Sequence, residues 1–190
     1  MNATIRSFVG LVVCLGLVGA PGSSRGQDGA LPKPTAEHER LAKDVGTWDA
    51  TIKSWMGGPG SDPSVSQGVE VVKLLPGGLW THSEFDGKFG DMEFHGCGQS
   101  GYDTHKKKYV GTWVDSMTTE IMMMEGDYDA ASQTLTMYAK GTEPSGKPYE
   151  SKMTSKREGE DTRVFTMFMK SDETKGEYVK AMEITYKRRK

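Results

Sequence analysis

Two histidines and two glutamates fall within residues 79–98 at a spacing that could bring them onto one face of a β-hairpin. If residues 87–90 form the loop, His82 lies opposite His95 and Glu84 lies opposite Glu93. Imidazole and carboxylate groups together bind Zn²⁺ and other divalent cations, and such a cation can activate water for hydrolysis. The same face could instead be the polar lining of a ligand cavity, or a solvated side of the hairpin.

Trp80 and Cys97 are predicted to share that face, opposite to one another across the same hairpin. Phe85, Met92 and Phe94 point to the other face, which is therefore the apolar one. Cys97 is the one cysteine outside the first 26 residues. A lone cysteine on a strand is expected to be structural and inert rather than a nucleophile.

An acidic residue among aromatic rings forms the second constellation. Trp113 and Asp115 share a strand face with Tyr109. An inward carboxylate beside aromatic rings needs a hydrogen-bond partner, because a buried unpaired charge is costly. A serine, a threonine or a donor on a ligand could serve, or Asp115 could cap the turn that follows its strand.

Methionine accounts for 12 of the 190 residues, and many of these methionines lie in the predicted strands. Thioethers are soft ligands suited to Cu(I). They are also adaptable filler for a core or for the wall of an apolar pocket. The three interpretations, copper site, pocket lining and core packing, remain open for the following set: Met117, Met122–Met124, Met137, Met153, Met167, Met169 and Met182.

Motifs for nucleophilic catalysis, zinc peptidase chemistry and phosphate binding are missing from the sequence. It contains no Gly-x-Ser-x-Gly, no His-Glu-x-x-His and no phosphate loop. The basic runs Lys106–Lys108 and Lys187–Lys190 are typical of a solvated turn and a solvated terminus. We therefore expect no catalytic residues, no resident cofactor and no resident metal, and the sequence favours a binding function over an enzyme.

The elements that must position these residues follow a period of two after Gly46. Glycine, 24 of the 190 residues, supplies many of the turns between them. The predicted strands are 47–55, 66–75, 79–86, 92–101, 107–115, 119–127, 133–140, 148–157, 162–170 and 177–187. Connections this short exclude a parallel sheet, and closure would remove the exposed edges of so long a meander. The sequence thus predicts an all-β, antiparallel up-and-down barrel of about ten strands, with a two-sheet sandwich as the alternative.

One short helix precedes the strands. Thr35 is the predicted N-cap, and Glu37 and Glu39 favour the positive end of the helix dipole. The predicted helix has about three turns, and Leu41 and Val45 lie on the same face of it. Gly46 would end the helix.

The first 26 residues resemble a secretory signal peptide. They contain no acidic residue and include an apolar run at 8–18, which is too short to span a membrane. Cys14 lies in the middle of that run behind a valine, so lipidation is not expected. Removal of this segment takes away two basic residues, Arg6 and Arg25, and leaves 22 of the 24 basic residues against 26 acidic residues. The resulting net charge of −4 argues against general nucleic-acid binding.

The resulting organisation is a signal peptide at 1–26, a linker at 27–34 and a single β-barrel domain at 35–190. The protein is accordingly expected outside the cytoplasm, either periplasmic or secreted. With one cysteine after cleavage it has no internal disulfide, so its core must hold the fold together.

Several blocks of the chain resemble a bacterial family catalogued as domain of unknown function 1579, and the resemblance covers about residues 33–190. The blocks that carry it are Pro34–Leu41, Val45–Trp48, Gly101–Asp103, Lys106–Met117, Glu125–Asp129 and Met182–Tyr186. This resemblance implies no catalytic residues. Gly46-Thr-Trp48 is also similar to the opening of lipocalin-like and nitrobindin-like barrels, which hold ligands inside; unlike the haem-binding barrels, the chain has no histidine after His105.

The leading hypothesis is therefore an exported protein that binds a small, mostly apolar ligand inside a calycin-like barrel. The rivals are a metal-assisted hydrolase built on the His82/His95 face and a structural domain with a filled interior. We expect neither a nucleic-acid partner nor an integral membrane segment after cleavage. The candidate ligand contacts are Trp48, Trp80, His82, Glu84, His95, Tyr109, Trp113 and Asp115.

Overall fold

Alternation of inward and outward side chains after Gly46 builds a closed barrel of antiparallel strands. The computed structural model describes residues 31–55, 61–89, 92–143 and 145–190. Within these ranges there are one helix and ten strands: α1 Ala36–Ala42, β1 Gly46–Ser54, β2 Ser64–Leu74, β3 Trp80–Phe89, β4 Met92–Asp103, β5 Lys108–Asp115, β6 Met122–Asp129, β7 Thr134–Thr142, β8 Pro148–Arg157, β9 Thr162–Lys170 and β10 Val179–Arg188.

Each strand pairs with the next one in sequence, and β10 returns to pair with β1. The predicted up-and-down barrel is confirmed, and the sandwich alternative is excluded because every described strand has a neighbour on both sides. The one irregularity in the described ladders is a register shift in β10 between Lys180 and Met182.

The predicted helix is shorter than expected. It begins after Thr35, whose backbone N–H donates to His38 Nδ1 at 3.0 Å, and it ends at Ala42. Gly46 does not end it; this residue opens β1 with a φ of +139°. The helix can stop early because side chains outside it bind the carbonyls that follow it: Trp48 Nε1 donates to Asp44 O at 2.8 Å, and Arg188 Nη1 donates to Val45 O at 2.6 Å.

The helix lies over β3 and β4 at the end of the barrel where β1 begins, which we call the helix end. His38 and Leu41 are the two residues of α1 that are buried. The His38 ring meets the Tyr102 ring edge-on, with their centroids 5.9 Å apart. These contacts cover the helix end of the interior with apolar and aromatic surface.

The interior holds two groups of buried side chains. One surrounds β1 and contains Trp48, Ala50, Ile52, Val72, Phe85, Phe94, Ile184 and Tyr186. The other lies beneath the helix and along β7 and β8, and contains Leu41, Tyr109, Met137, Ala139 and Met153. Phe165 packs against both groups and so joins them across the lumen.

The hairpin of β3 and β4 has a different register from the predicted one. Phe89 pairs with Met92, so His82 lies opposite Gln99, Glu84 opposite Cys97, and His95 opposite Asp86. The strand continues past Gly87 because Phe89 is an inward aromatic residue, whose ring meets that of Phe94 with centroids 4.8 Å apart. The division of side chains between the two faces is unchanged, because the shift is by an even number of residues.

The predicted signal peptide and most of the predicted linker lie outside the described residues. Among the residues described, no helix is long and apolar enough to cross a membrane.

Candidate functional site

Four methionines from four consecutive strands form a continuous row inside the barrel. Met137 of β7 pairs with Met153 of β8, Met153 pairs with Met167 of β9, and Met167 pairs with Met182 of β10. We call Met137, Met153, Met167 and Met182 the methionine belt. Because directly opposite residues have Cβ atoms about 4.5–5.5 Å apart, neighbouring thioethers of the belt can touch.

The belt is only partly covered by the rest of the barrel. Met137 and Met153 are buried, whereas Met167 and Met182 keep accessible surface although they point inwards. The same is true of other large inward side chains, namely Trp113, Met122, Met124, Phe165 and Met169. The apolar surface of these inward side chains is therefore not completely covered by the described residues.

The row next to the belt carries short side chains. Its inward positions are, in strand order, Gly111 of β5, Met124 of β6, Ala139 of β7, Ser151 of β8 and Met169 of β9. The three short residues are buried, and two flexible thioethers, those of Met124 and Met169, lie beside them. We call this row together with the belt the methionine chamber.

Trp113 lies flat against the wall of the chamber. Cβ atoms added to the β4 glycines beneath it would collide with its ring, at Cζ2 for Gly96 and at 2.9 Å from Cε3 for Gly98. Only glycine lets the indole ring come this close to the β4 backbone, so the ring lies on β4 instead of filling the lumen. Its Nε1 donates to Asp115 Oδ2 at 3.1 Å.

Asp115 is both an inward hydrogen-bond acceptor and a turn cap. Besides the Trp113 indole, it accepts the backbone N–H groups of Met117 and Thr118 on Oδ1, at 2.9 and 3.1 Å. Both interpretations of this residue are therefore compatible with the structure. The carboxylate fixes the Trp113 ring and the turn after β5 at the same time.

Tyr149 repeats the arrangement on the opposite wall. Its ring lies over Gly141, where an added Cβ would be 2.6 Å from the Tyr149 hydroxyl. Burial raises the pKa of the Tyr149 phenol, and the negative charges of Glu120 and Asp115 raise it further. The hydroxyl therefore stays protonated at neutral pH and is available as a donor at the edge of the chamber.

Tyr109 and Trp48, two other candidate contacts, point inwards but belong to the helix end. The Tyr109 hydroxyl accepts a hydrogen bond from Arg40 Nη1 at 2.6 Å, and burial raises the pKa of its phenol. Trp48 is fully buried, with the Arg188 guanidinium 4.1 Å from its ring. Both side chains fasten the helix to the barrel.

The remaining four candidates, Trp80, His82, Glu84 and His95, lie on the outer face of β3 and β4. His82 Nε2 is 3.5 Å from Glu84 Oε1, and Glu84 also accepts a hydrogen bond from Lys73 at 3.1 Å. His95 Nδ1 contacts the Asp86 carboxylate instead. Among the described residues no three His, Cys, Asp or Glu side chains converge as metal ligands, so the hairpin face does not assemble the donor set that the metal-assisted alternative requires.

A buried ion pair inside the barrel was not anticipated from the sequence. Arg163 of β9 pairs with Glu70 of β2, and each residue is more than nine-tenths buried. The Arg163 guanidinium also lies 4.0 Å from the centroid of the Tyr186 ring. No local sequence pattern predicts this pair, because the two residues are far apart in the sequence. The sequence does show a charged residue at a strand position that faces inwards, and this could have indicated a buried ion pair.

Residues 33–188 match the model of the family described as "Protein of unknown function (DUF1579)". The chain belongs to this family. The match covers all ten strands of the DUF1579 barrel together with α1. No curated protein matches the sequence.

The fold of the DUF1579 barrel is similar to that of a solved structure with low sequence identity. The chain is similar to an S-type phycobiliprotein lyase from Guillardia theta, with 11% identity and a TM-score of 0.52, over 83% of this chain and 99% of that one. A protein of unknown function from the DUF3598 family of Nostoc punctiforme aligns with 9% identity and a TM-score of 0.26, over 82% of this chain and 100% of that one. At 11% identity the likeness to the lyase concerns the fold alone.

Proposed function

We propose that this DUF1579 protein is an exported binding protein that holds a small, mostly apolar molecule in the methionine chamber. The observation that carries the proposal is the row of inward methionines, part of whose surface remains uncovered inside the barrel. Leaving apolar surface uncovered costs about 25 cal/mol for each Å². A ligand that covers it would recover that free energy.

The composition of the chamber wall favours an apolar occupant of adaptable shape. Methionine has three rotatable bonds and a polarisable sulfur, so a wall of thioethers can adjust to different ligand outlines. Trp113 and Phe165 add rigid aromatic surface. The charged pair nearest to the lumen, Glu70 and Arg163, is already neutralised within the protein, so it does not call for an ionic ligand.

The two rival functions receive less support. A hydrolase built on the hairpin would need His82 and His95 to act together, whereas each pairs with a different carboxylate on the outer face. A purely structural barrel would be expected to fill its interior to normal packing density, and the uncovered methionines depart from that. The exported location rests on the sequence of residues 1–26 alone.

A fluorescence titration with N-phenyl-1-naphthylamine, a neutral apolar probe, tests the proposal. We expect saturable enhancement with the wild-type chain. Met169→Trp would fill the mouth of the chamber and should weaken binding by about tenfold or more. Phe168→Trp is the matched control, because Phe168 neighbours Met169 in β9 on the outward face and should leave binding unchanged. Absence of saturable binding by the wild type, or equal binding by the two variants, contradicts the proposal.

Export is tested separately by the intact mass of the protein recovered from the cell envelope and from the medium. We expect loss of the first 26 residues. A full-length protein found only in the cytoplasm would contradict export and would leave the chamber unaffected.

A further inference from the structure

Ser151 is a polar group in the apolar wall of the chamber, and it has no hydrogen-bond partner. The residue is completely buried. No hydrogen bond reaches its Oγ from the described part of the chain. A buried hydroxyl without a partner forfeits the hydrogen bonds that it makes with water in the unfolded chain, so a partner is expected when the protein functions.

The neighbours of Ser151 do not supply that partner. Across the sheet Ser151 lies between Ala139 of β7 and Met169 of β9, which have no hydrogen-bonding group stronger than a thioether. Along β8 its inward neighbours are Tyr149 and Met153. Tyr149 is thus the one polar side chain among the four adjacent inward positions, and its ring is turned onto Gly141.

A trapped water fits this position poorly. Buried waters typically make about three hydrogen bonds, whereas Tyr149 is the one polar side chain among the four inward positions adjacent to Ser151. A polar atom carried into the chamber by an otherwise apolar ligand needs a single donor. Met169 is partly exposed and flexible, so a change of its rotamer could uncover the hydroxyl.

We propose that Ser151 Oγ donates a hydrogen bond to a carbonyl oxygen of the bound molecule. The ligand class is then an apolar ketone, ester or amide, rather than a pure hydrocarbon or an ion. The chamber supplies apolar contact through its thioethers, and Ser151 fixes the position of the ligand. This inference rests on the proposed function and names the polar feature that the ligand carries.

The test compares two probes on the full chain. One is 6-propionyl-2-dimethylaminonaphthalene, whose emission shifts to the red when its carbonyl accepts a hydrogen bond. The other is 6-propyl-2-dimethylaminonaphthalene, which has the same skeleton and lacks the carbonyl. Ser151→Ala removes the donor; Ser155→Ala is the matched control, because Ser155 also faces inwards on β8 but lies opposite Leu135 and Phe165.

We expect Ser151→Ala to weaken binding of the carbonyl probe by about five- to tenfold and to shift its bound emission to the blue. The same variant should bind the probe without the carbonyl as the wild type does, and Ser155→Ala should bind both probes normally. Circular dichroism of each variant establishes that it is folded.

Two further outcomes overturn the inference in different ways. If both probes bind the wild type and Ser151→Ala with equal affinity and the same emission, the serine is not an anchor, while the chamber itself survives. If neither probe binds the wild type, the proposed function fails and the anchor fails with it.

Discussion

Arg163 and Glu70 form an ion pair inside the barrel, joining β9 to β2 across the two strands between them. Both side chains are nearly completely buried, and Arg163 Nε has no hydrogen-bond partner among the described residues. The guanidinium is instead held between the rings of Tyr186 and Trp48, at 4.0 and 4.9 Å from their centroids. The pair therefore lies among the aromatic rings of the buried group that surrounds β1.

Glu70→Ala should destabilise the protein strongly, because it leaves Arg163 charged and uncompensated in a buried position. Breaking one side of a buried pair typically costs about 3–5 kcal/mol. The free energy of unfolding in urea measures the loss. Glu125→Ala is the comparison, since Glu125 pairs with Lys106 on the exposed surface and should cost no more than about 1 kcal/mol.

The double variant Glu70→Met/Arg163→Met separates charge from packing. Replacing both partners by apolar residues removes the uncompensated charge, so the double variant should recover much of the stability that Glu70→Ala loses. A double variant that is as unstable as Glu70→Ala would show that the two residues do not act as a pair.

Arg188→Lys should destabilise the attachment of the helix to the barrel. The Arg188 guanidinium donates to two backbone carbonyls, Val45 O at 2.6 Å and Lys43 O at 2.8 Å. The same guanidinium lies over the Trp48 ring. A lysine ammonium cannot reproduce this bidentate, stacked geometry, so we expect a loss of about 1–3 kcal/mol. Thermal unfolding measures it. Arg189→Lys changes the next residue, which pairs with Asp49 on the exposed surface, and should leave the melting temperature nearly unchanged.

Gly96→Ala should displace Trp113 from the chamber wall. A Cβ at this position would collide with the indole, so either the ring or β4 must move, at a cost of about 1–3 kcal/mol. The emission maximum of Trp113 should shift. It is recorded with and without Gly96→Ala in a chain whose other tryptophans, Trp48, Trp55 and Trp80, are replaced by Phe, so that Trp113 alone emits. Gly77→Ala is the control: its Cβ would meet nothing within 4 Å, and only the strain of φ +92° applies. An unchanged Trp113 spectrum in Gly96→Ala would contradict the flat position of the ring.

Alkaline pH should unfold the protein because buried tyrosines resist ionisation. Burial raises the pKa of Tyr186 above its ordinary value of 10.0 and has the same effect on Tyr149 and Tyr109. The folded chain then holds more protons than the unfolded chain above about pH 10. Stability from this source is complete below that pH and falls as the pH rises through it.

Urea unfolding at about pH 8 and about pH 10.5 measures this dependence. Tyr186→Phe should reduce the loss of stability between the two values, because the variant has one fewer buried phenol. Tyr138→Phe, on the outer face of β7, should leave the pH dependence as it is in the wild type. Equal slopes for the wild type and Tyr186→Phe would contradict the buried, protonated state of Tyr186.

The barrel itself could be predicted from the sequence because strand length, turn residues and short connections are local signals. The predicted ranges for β8, 148–157, and β9, 162–170, coincide with the observed strands, and most other strand ends differ by a few residues. The sequence also predicts which candidates share a face, since the period of two places Trp113 and Asp115 with Tyr109 whatever the register is.

What could not be predicted depends on register and on contacts between distant residues. The methionine belt exists because three successive strand pairings bring Met137, Met153, Met167 and Met182 level with one another. A change of two residues in any of these registers would break the row without altering a face. The outward position of His82 and His95 likewise follows from which face of the hairpin meets the core, and a hairpin considered alone does not determine that.

The central claim is that the chamber is a binding site, and the native mass spectrum of the protein purified from the envelope without detergent or organic solvent tests it most directly. We expect a population heavier than the polypeptide by one small molecule, which is released on denaturation and extracts into an apolar solvent. Met169→Trp should lack this population, and Phe168→Trp should retain it. A wild-type spectrum with the mass of the polypeptide alone, from a protein that also fails to bind N-phenyl-1-naphthylamine, would contradict the account.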